Sequence, residues 1–140
     1  MAMQKTILYL LFLTALAAMA VERQTRAAEP TKRVVVMYFH RTQRCPTCQT
    51  MGTYTEEAVK TRLAKEVKDG SVSLHFINFE DPQNARFTQA YGVTGPTLIV
   101  AKAAGGKAAE FVNLKEIWVK VRDKEAFLDY VESNARAYLR

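Results

Sequence analysis

The sequence of 140 residues is poor in metal-ligating side chains, with only two cysteines and two histidines. A second C-x-x-C pair and a clustered histidine pair are both missing, and four-ligand zinc sites usually need one of them. The chain also has no block of five or more like charges, although its formal net charge is +6. This spacing of charge gives little support to nucleic-acid binding and favours a solvated basic surface.

The composition nevertheless predicts one folded domain. Hydrophobic residues make up 49% and charged residues 24% of the chain, which is ordinary for a globular protein and argues against a disordered one. A chain of this length accommodates one domain with a real core.

The N-terminus has the layout of a secretory signal. Lys5 precedes an uncharged stretch, Thr6 to Val21, that ends in the small-x-small triplet Ala18-Met19-Ala20. The stretch is shorter than the ~20 residues that cross a bilayer, so we predict a signal peptide over 1–20, cleaved after Ala20, with an uncleaved anchor as the alternative. Cleavage removes one lysine and no acid, so the net charge falls from +6 to +5. Residues 21–31 are polar and predict a linker.

From 32 to 140 the pattern predicts an α/β domain in the order β-α-β-α-β-β-α. Predicted strands cover "VVVMYFH" (34–40), "SVSLHFINF" (71–79), "TLIVAK" directly behind Pro96, and an edge strand over 107–112. A long helix follows the first strand, a short one ends at Gly92, and the last, capped by Asp123, covers the sheet. The result is a four-stranded mixed sheet with helices on both faces. Gly52, followed by the capping pattern Thr53 to Glu56, predicts a kink or restart in the long helix.

The two cysteines fall between the first strand and its helix. Unpaired backbone N–H groups at a helix N-terminus favour an anion, so a Cys45 thiolate is stabilised there and the pKa of its thiol is expected below the free value of about 8.5. Pro46 suits the first helical position. Cys48, one turn on, is placed to attack a mixed disulfide formed by Cys45.

Other functions for the pair remain open at this point. A purely structural staple gains little, because stabilisation grows with the length of the closed loop. Cu(I) or zinc binding by Cys45, Cys48 and His40, with Met51 as a soft fourth ligand, fits the spacing. A third alternative is a non-catalytic subunit with a permanent disulfide.

Three further residues are candidates around the pair. His40 closes the first strand and either relays a proton or stabilises the thiolate, or simply bonds a loop carbonyl. Arg44, with Arg41, favours the anion if its side chain points towards Cys45. Gly95-Pro96 precedes a strand, and a cis bond there would expose backbone groups for a substrate strand; a trans proline opening the strand is the rival.

"CPTC" after a hydrophobic strand, followed by "YGVTGPTLIV", resembles the thioredoxin-like superfamily. More narrowly, "VVVMYFH", "RCPTC", "YTEEAV" and the tail "FVNLKEIWVKVRDKEAFLDYV" are similar to small exported proteins labelled nitrophenyl-compound nitroreductase subunits. The resemblance implies Cys45 as attacking thiol, Cys48 as resolving thiol and Pro96 as a cis-proline. It also implies a neighbouring membrane electron transporter of the cytochrome-biogenesis type.

The chain departs from thioredoxin proper in its redox motif. Arg44 replaces the tryptophan before the first cysteine, and Pro46-Thr47 replaces Gly-Pro. Phe39 stands, by sequence count, where thioredoxin has a buried acid, so proton handling is expected to differ.

The sequence therefore predicts an exported thiol-disulfide oxidoreductase, periplasmic or otherwise extracytoplasmic, leaning to a reductase, with no bound cofactor and no metal. Its predicted partners are a protein or small-molecule disulfide and the membrane transporter.

Overall fold

The computed structural model describes residues 33–104 and 107–140. The predicted signal peptide (1–20) and linker (21–31) lie outside the described residues. No helix in the described ranges is both long enough and apolar enough to cross a membrane.

The described residues form four strands: β1 (Arg33–His40), β2 (Val72–Asn78), β3 (Thr97–Ala104) and β4 (Lys107–Asn113). These strands make one mixed sheet in the order β2-β1-β3-β4. β1 pairs with β2 in parallel and with β3 antiparallel, and β4 pairs antiparallel with β3. The long hydrophobic run of β1 reflects its central place, because both faces of that strand are covered.

Alternate side chains of β1 enter two separate cores, since successive residues of a strand point to opposite faces. Val34, Val36 and Tyr38 belong to the larger core, which they share with the first long helix and the C-terminal helix. Met37 and Phe39 belong to the smaller core on the other face. Because of this alternation, the residue of β1 that lies beneath the cysteines comes from the first set, which faces the first long helix.

The helix after β1 is irregular, but not where the sequence predicts. It consists of α1 (Pro46–Glu57), a π-helical turn (Ala58–Arg62) and α2 (Ala64–Lys68). The prediction of a kink or restart at Gly52 is wrong, because α1 runs through that residue. The Thr53 hydroxyl donates to the carbonyl of Gln49 (3.1 Å) instead of capping a new helix.

Gly52 has a packing role instead. A Cβ built on it would lie 3.2 Å from Cε1 of Tyr38, closer than ordinary van der Waals contact. The missing side chain therefore lets α1 lie close against β1, directly over the Tyr38 ring.

The remaining helices follow the predicted order. A 3₁₀ turn (Pro82–Asn84) leads into α3 (Ala85–Ala90), and the chain leaves it through Gly92 at a φ of +61°. A single turn, α4 (Ile117–Lys120), precedes α5 (Lys124–Leu139). The Asp123 carboxylate accepts from the Ala126 N–H (3.1 Å), which confirms the predicted cap. With α1 and α5 on one face of the sheet and α3 on the other, the predicted α/β architecture is confirmed.

Candidate active site

Cys45 and Cys48 are joined by a disulfide at the N-terminus of α1, with their Cα atoms 5.1 Å apart. Cys45 is the N-cap residue, in an extended conformation, and Pro46 opens the helix. This placement follows directly from the sequence, since proline has no N–H to lose at the first helical position. The Gln49 N–H donates to the Cys45 carbonyl (2.9 Å), which closes the first turn.

The two sulfurs differ in access. Cys45 is exposed, whereas Cys48 is 6% exposed and turned towards the core. A partner sulfur can therefore approach Cys45 from solvent, while Cys48 is reached only through Cys45. These are the positions that an attacking and a resolving thiol require.

The Cys45 sulfur faces the open end of the helix. Its Sγ accepts a hydrogen bond from the Cys48 backbone N–H (3.1 Å), one of the N–H groups that no helical carbonyl satisfies. When the disulfide is reduced, the same N–H and the positive end of the helix are placed to stabilise a thiolate at position 45.

The Arg44 side chain lies over an aromatic ring. Its guanidinium carbon lies 5.9 Å from the centre of the Phe76 ring, which in turn packs edge-on against Tyr38. Arg41 points elsewhere, over Phe79 and towards Glu80 at 3.7 Å. The stabilisation of the thiolate by Arg44 stays a prediction.

The His40 ring is held by a loop carbonyl. Nδ1 lies 2.9 Å from the carbonyl oxygen of Arg41, which can only accept, so the neutral ring carries its proton on Nδ1. The geometry matches the simplest of the predicted roles for His40, the bond to a loop carbonyl. Its roles as a proton relay and in stabilising the thiolate stay predictions.

Pro96 is preceded by a trans peptide bond, since the described residues contain no cis bond. The cis hypothesis for Pro96 is therefore wrong. Pro96 directly precedes β3, so its missing N–H removes no bond from the sheet, and the Thr97 hydroxyl holds the turn by donating to the Gly95 carbonyl (2.8 Å). Trans is the lower-energy form unless the fold demands otherwise. Thr97 pairs with Phe39, so Gly95 and Pro96 still lie near the C-terminal end of β1. Their contact with substrate stays a prediction.

The resemblance to thioredoxin, which points to Phe39, does not identify Tyr38, the polar residue that lies beneath the two cysteines. Its hydroxyl is buried and donates to the carbonyl of Cys48 (2.7 Å), whereas Phe39 faces the opposite core. Burial raises the pKa of Tyr38 to about 12, against a smaller lowering by the charge of Arg44. The hydroxyl therefore remains a neutral donor. The alternation of β1 could have found it, because Tyr38 shares the face of Val34 and Val36, on which α1 packs.

Two surface hollows meet at Cys45 and Pro46, which line both. The arginine hollow, about 720 Å³, is otherwise lined by Arg41, Thr42, Gln43, Arg44 and Glu80. The tryptophan hollow, about 540 Å³, is otherwise lined by Thr47, Thr50, Trp118, Val121 and Arg122. No local sequence signal links Trp118 to the cysteines, because it lies seventy positions after Cys48 and reaches the site only through the fold.

The candidate metal ligands do not form a cluster. Within residues 33–104 and 107–140, no group of three or more His, Cys, Asp or Glu side chains could hold a metal ion. Met51, the suggested soft ligand, is fully buried in the larger core.

Solved structures similar to this chain include several thioredoxins. A mutant thioredoxin from Halobacterium salinarum is 26% identical, with 73% of this chain and 74% of that chain covered and a TM-score of 0.44. The thioredoxin of Malassezia sympodialis is 16% identical (74% and 76% covered, TM-score 0.46). A thioredoxin from Thermus thermophilus is 23% identical (64% and 72% covered, TM-score 0.39).

No protein-family model matches the chain, and no curated protein matches it significantly. Because all three TM-scores are below 0.5, the fold assignment rests on the observed strand order and on the place of the disulfide. Together these give a thioredoxin-like α/β fold with a C-x-x-C disulfide, which fits thiol-disulfide oxidoreductases in general.

Replacing Tyr38 with phenylalanine tests the support beneath the pair. We expect Tyr38→Phe to lower the free energy of unfolding by about 1 kcal/mol at neutral pH, because the buried hydrogen bond from the Tyr38 hydroxyl to the Cys48 carbonyl is lost. Tyr130→Phe is the control, since the Tyr130 hydroxyl bonds to no residue that the structure describes. Urea unfolding measures both; an unchanged midpoint for Tyr38→Phe would contradict the role of this hydrogen bond.

The free energy of unfolding of wild type should also depend on pH in a way that Tyr38→Phe removes. The raised pKa means that the folded protein keeps the Tyr38 proton to higher pH than the unfolded chain does, so the stabilisation is complete below pH 10 and is lost as pH rises to about 12. Wild type should lose about 1.4 kcal/mol per pH unit more than Tyr38→Phe in that window.

Proposed function

We propose that this protein is an exported thiol-disulfide oxidoreductase in which Cys45 attacks and Cys48 resolves. One observation carries the proposal: an exposed cysteine caps a helix and is bonded to a buried cysteine three positions on. A disulfide that only stabilises the fold does not require one exposed and one buried cysteine, whereas a two-step thiol-disulfide exchange does.

The exchange proceeds through a mixed disulfide. The Cys45 thiolate attacks one sulfur of the substrate's disulfide, the new bond joins Cys45 to that sulfur, and the other substrate sulfur leaves as a thiolate and takes up a proton. Cys48 then loses its proton and attacks the Cys45 sulfur, which forms the 45–48 disulfide and releases the second substrate thiol. The substrate gains two electrons and two protons, and the protein pair is oxidised.

The direction of net transfer is a further part of the proposal. We favour a reductase, in which a dithiol on a membrane electron transporter of the cytochrome-biogenesis type returns the 45–48 disulfide to two thiols. The resemblance noted from the sequence supports this choice. Two cysteines carry both electrons, so the exchange itself requires no bound cofactor.

The alternatives receive less support from the geometry. Metal binding by Cys45, Cys48 and His40 would lack Met51, which is fully buried in the core. A role as a non-catalytic subunit of a nitroaromatic-reducing system, the narrower family resemblance, stays a prediction.

Export is proposed from the sequence of the first 20 residues. We expect expression with the full N-terminus in a secreting bacterial host to yield a periplasmic protein that begins at Val21. Intact-mass measurement of the periplasmic fraction tests this. A product that retains Met1 to Ala20, or one found only in the cytosol, would contradict it.

The exchange mechanism is tested by trapping. Cys48→Ser cannot resolve a mixed disulfide, so the reduced variant should accumulate substrate bound through Cys45, seen as a dithiothreitol-sensitive mass increase. Cys45→Ser is the matched control and should trap at least tenfold less, because Cys48 is buried.

Two substrates serve in this experiment: hydroxyethyl disulfide as a small neutral probe, and an extract of periplasmic proteins. Equal trapping by both variants would contradict the assigned roles. Absence of any adduct with either substrate would contradict the proposed function itself.

A further inference from the structure

We propose that the tryptophan hollow recognises a substrate segment in which an acidic and an apolar side chain lie next to the reactive disulfide. The inference rests on the proposed function and names the class of substrate: an acidic protein disulfide, not a basic one. Three properties of the surface around Cys45 support it.

First, the hollow that Cys45 lines also presents an exposed aromatic ring. Trp118 is 46% exposed, although most large apolar side chains of the described chain are buried. Its neighbour Ile117 is 1% exposed and anchors α4 in the larger core. Burying Ile117 fixes the turn that holds Trp118 at the surface, so binding an apolar side chain there costs little ordering of the protein.

Second, the positive charge of Arg122 is not neutralised by the protein. Arg122 lines the hollow, is exposed, and forms no ion pair with any residue in the described ranges. The neighbouring acids are already engaged: Glu116 pairs with Lys120 (3.4 Å), and Asp123 caps α5. A guanidinium in this position offers a carboxylate two parallel hydrogen bonds.

Third, positive charge also lies on the other side of Cys45. The arginine hollow contributes Arg41 and Arg44. Among the described residues that line either hollow, only Glu80 carries a carboxylate, and it pairs with Arg41. A peptide that crosses Cys45 therefore meets guanidinium groups before and after the sulfur. Such complementarity speeds association with acidic partners and slows it with basic ones.

The test compares two synthetic peptides with reduced full-length protein. Each peptide carries one intramolecular disulfide and a leucine next to the attacked cysteine, and the flanking residues are glutamate in one and lysine in the other. Acid quenching followed by chromatography gives the rate of exchange for each. Hydroxyethyl disulfide, which is small and uncharged, reports the reactivity of Cys45 without recognition.

We expect the glutamate peptide to react about tenfold faster than the lysine peptide at low salt, with the ratio falling towards one as salt is raised to about 0.5 M, since salt screens exposed charges. Arg122→Gln should reduce the ratio of the glutamate-peptide rate to the hydroxyethyl disulfide rate about three- to tenfold. Arg140→Gln is the matched control. It removes the same charge from the far end of α5, roughly 24 Å away along the helix, and should leave the ratio unchanged.

Each possible result distinguishes the two proposals. Equal rates for the two peptides, or an Arg122→Gln ratio equal to that of wild type, would overturn the acidic specificity while leaving the exchange reaction in place. Absence of exchange with both peptides and with hydroxyethyl disulfide would overturn the proposed function and this inference with it.

Discussion

The chemistry of this site depends on the open end of α1 lying at the sulfur of Cys45. A helix begins with backbone N–H groups that no helical carbonyl satisfies, and here one of them, that of Cys48, points at the Cys45 sulfur at 3.1 Å. Because Cys45 is the N-cap and Pro46 the first helical residue, the sulfur is fixed relative to those donors. The separation of an exposed first sulfur from a buried second one follows from the same turn of helix.

Side chains of the sheet hold this first turn of α1 in place. Tyr38 reaches across from β1 to the Cys48 carbonyl, and the absence of a side chain at Gly52 lets α1 approach the Tyr38 ring. Arg44 lies over Phe76, which packs against the same ring. The site thus rests on a buried tyrosine, and burial moves the pKa of its hydroxyl further above the physiological range. A carboxylate in that position would carry charge into the core; the tyrosine supplies a hydrogen bond without one.

Most of the fold and the position of the cysteine pair could be predicted from the sequence, because both depend on local patterns. The long apolar run of β1, the proline after Cys45 and the cap at Asp123 each have one physical reading, and the structure agrees with all three. Propensity predicts a kink or restart at Gly52, because it does not reveal the neighbouring Tyr38 ring that explains this glycine. Pro96 was expected to be cis by resemblance, although its position before a strand makes no such demand.

What the sequence could not supply depends on the tertiary fold. The resemblance to thioredoxin aligns Phe39 with the buried acid of that protein. In β1, however, successive side chains point to opposite faces of the sheet, so Tyr38 points towards α1 and Phe39 points away from it. Trp118 and Arg122 line one hollow with Cys45 only through the tertiary fold, because they lie some seventy positions further along the chain. The proposed recognition surface is therefore a product of long-range packing, while the reactive group is a product of the four-residue C-x-x-C motif.

The central claim is tested most directly by the pH dependence of iodoacetamide alkylation of Cys45 in the reduced protein. A Cys48→Ser background gives a single reacting sulfur, and mass spectrometry gives the rate at each pH. The account predicts a midpoint clearly below the value of about 8.5 for a free cysteine, because the helix end stabilises the thiolate. A midpoint at or above 8.5 would contradict it.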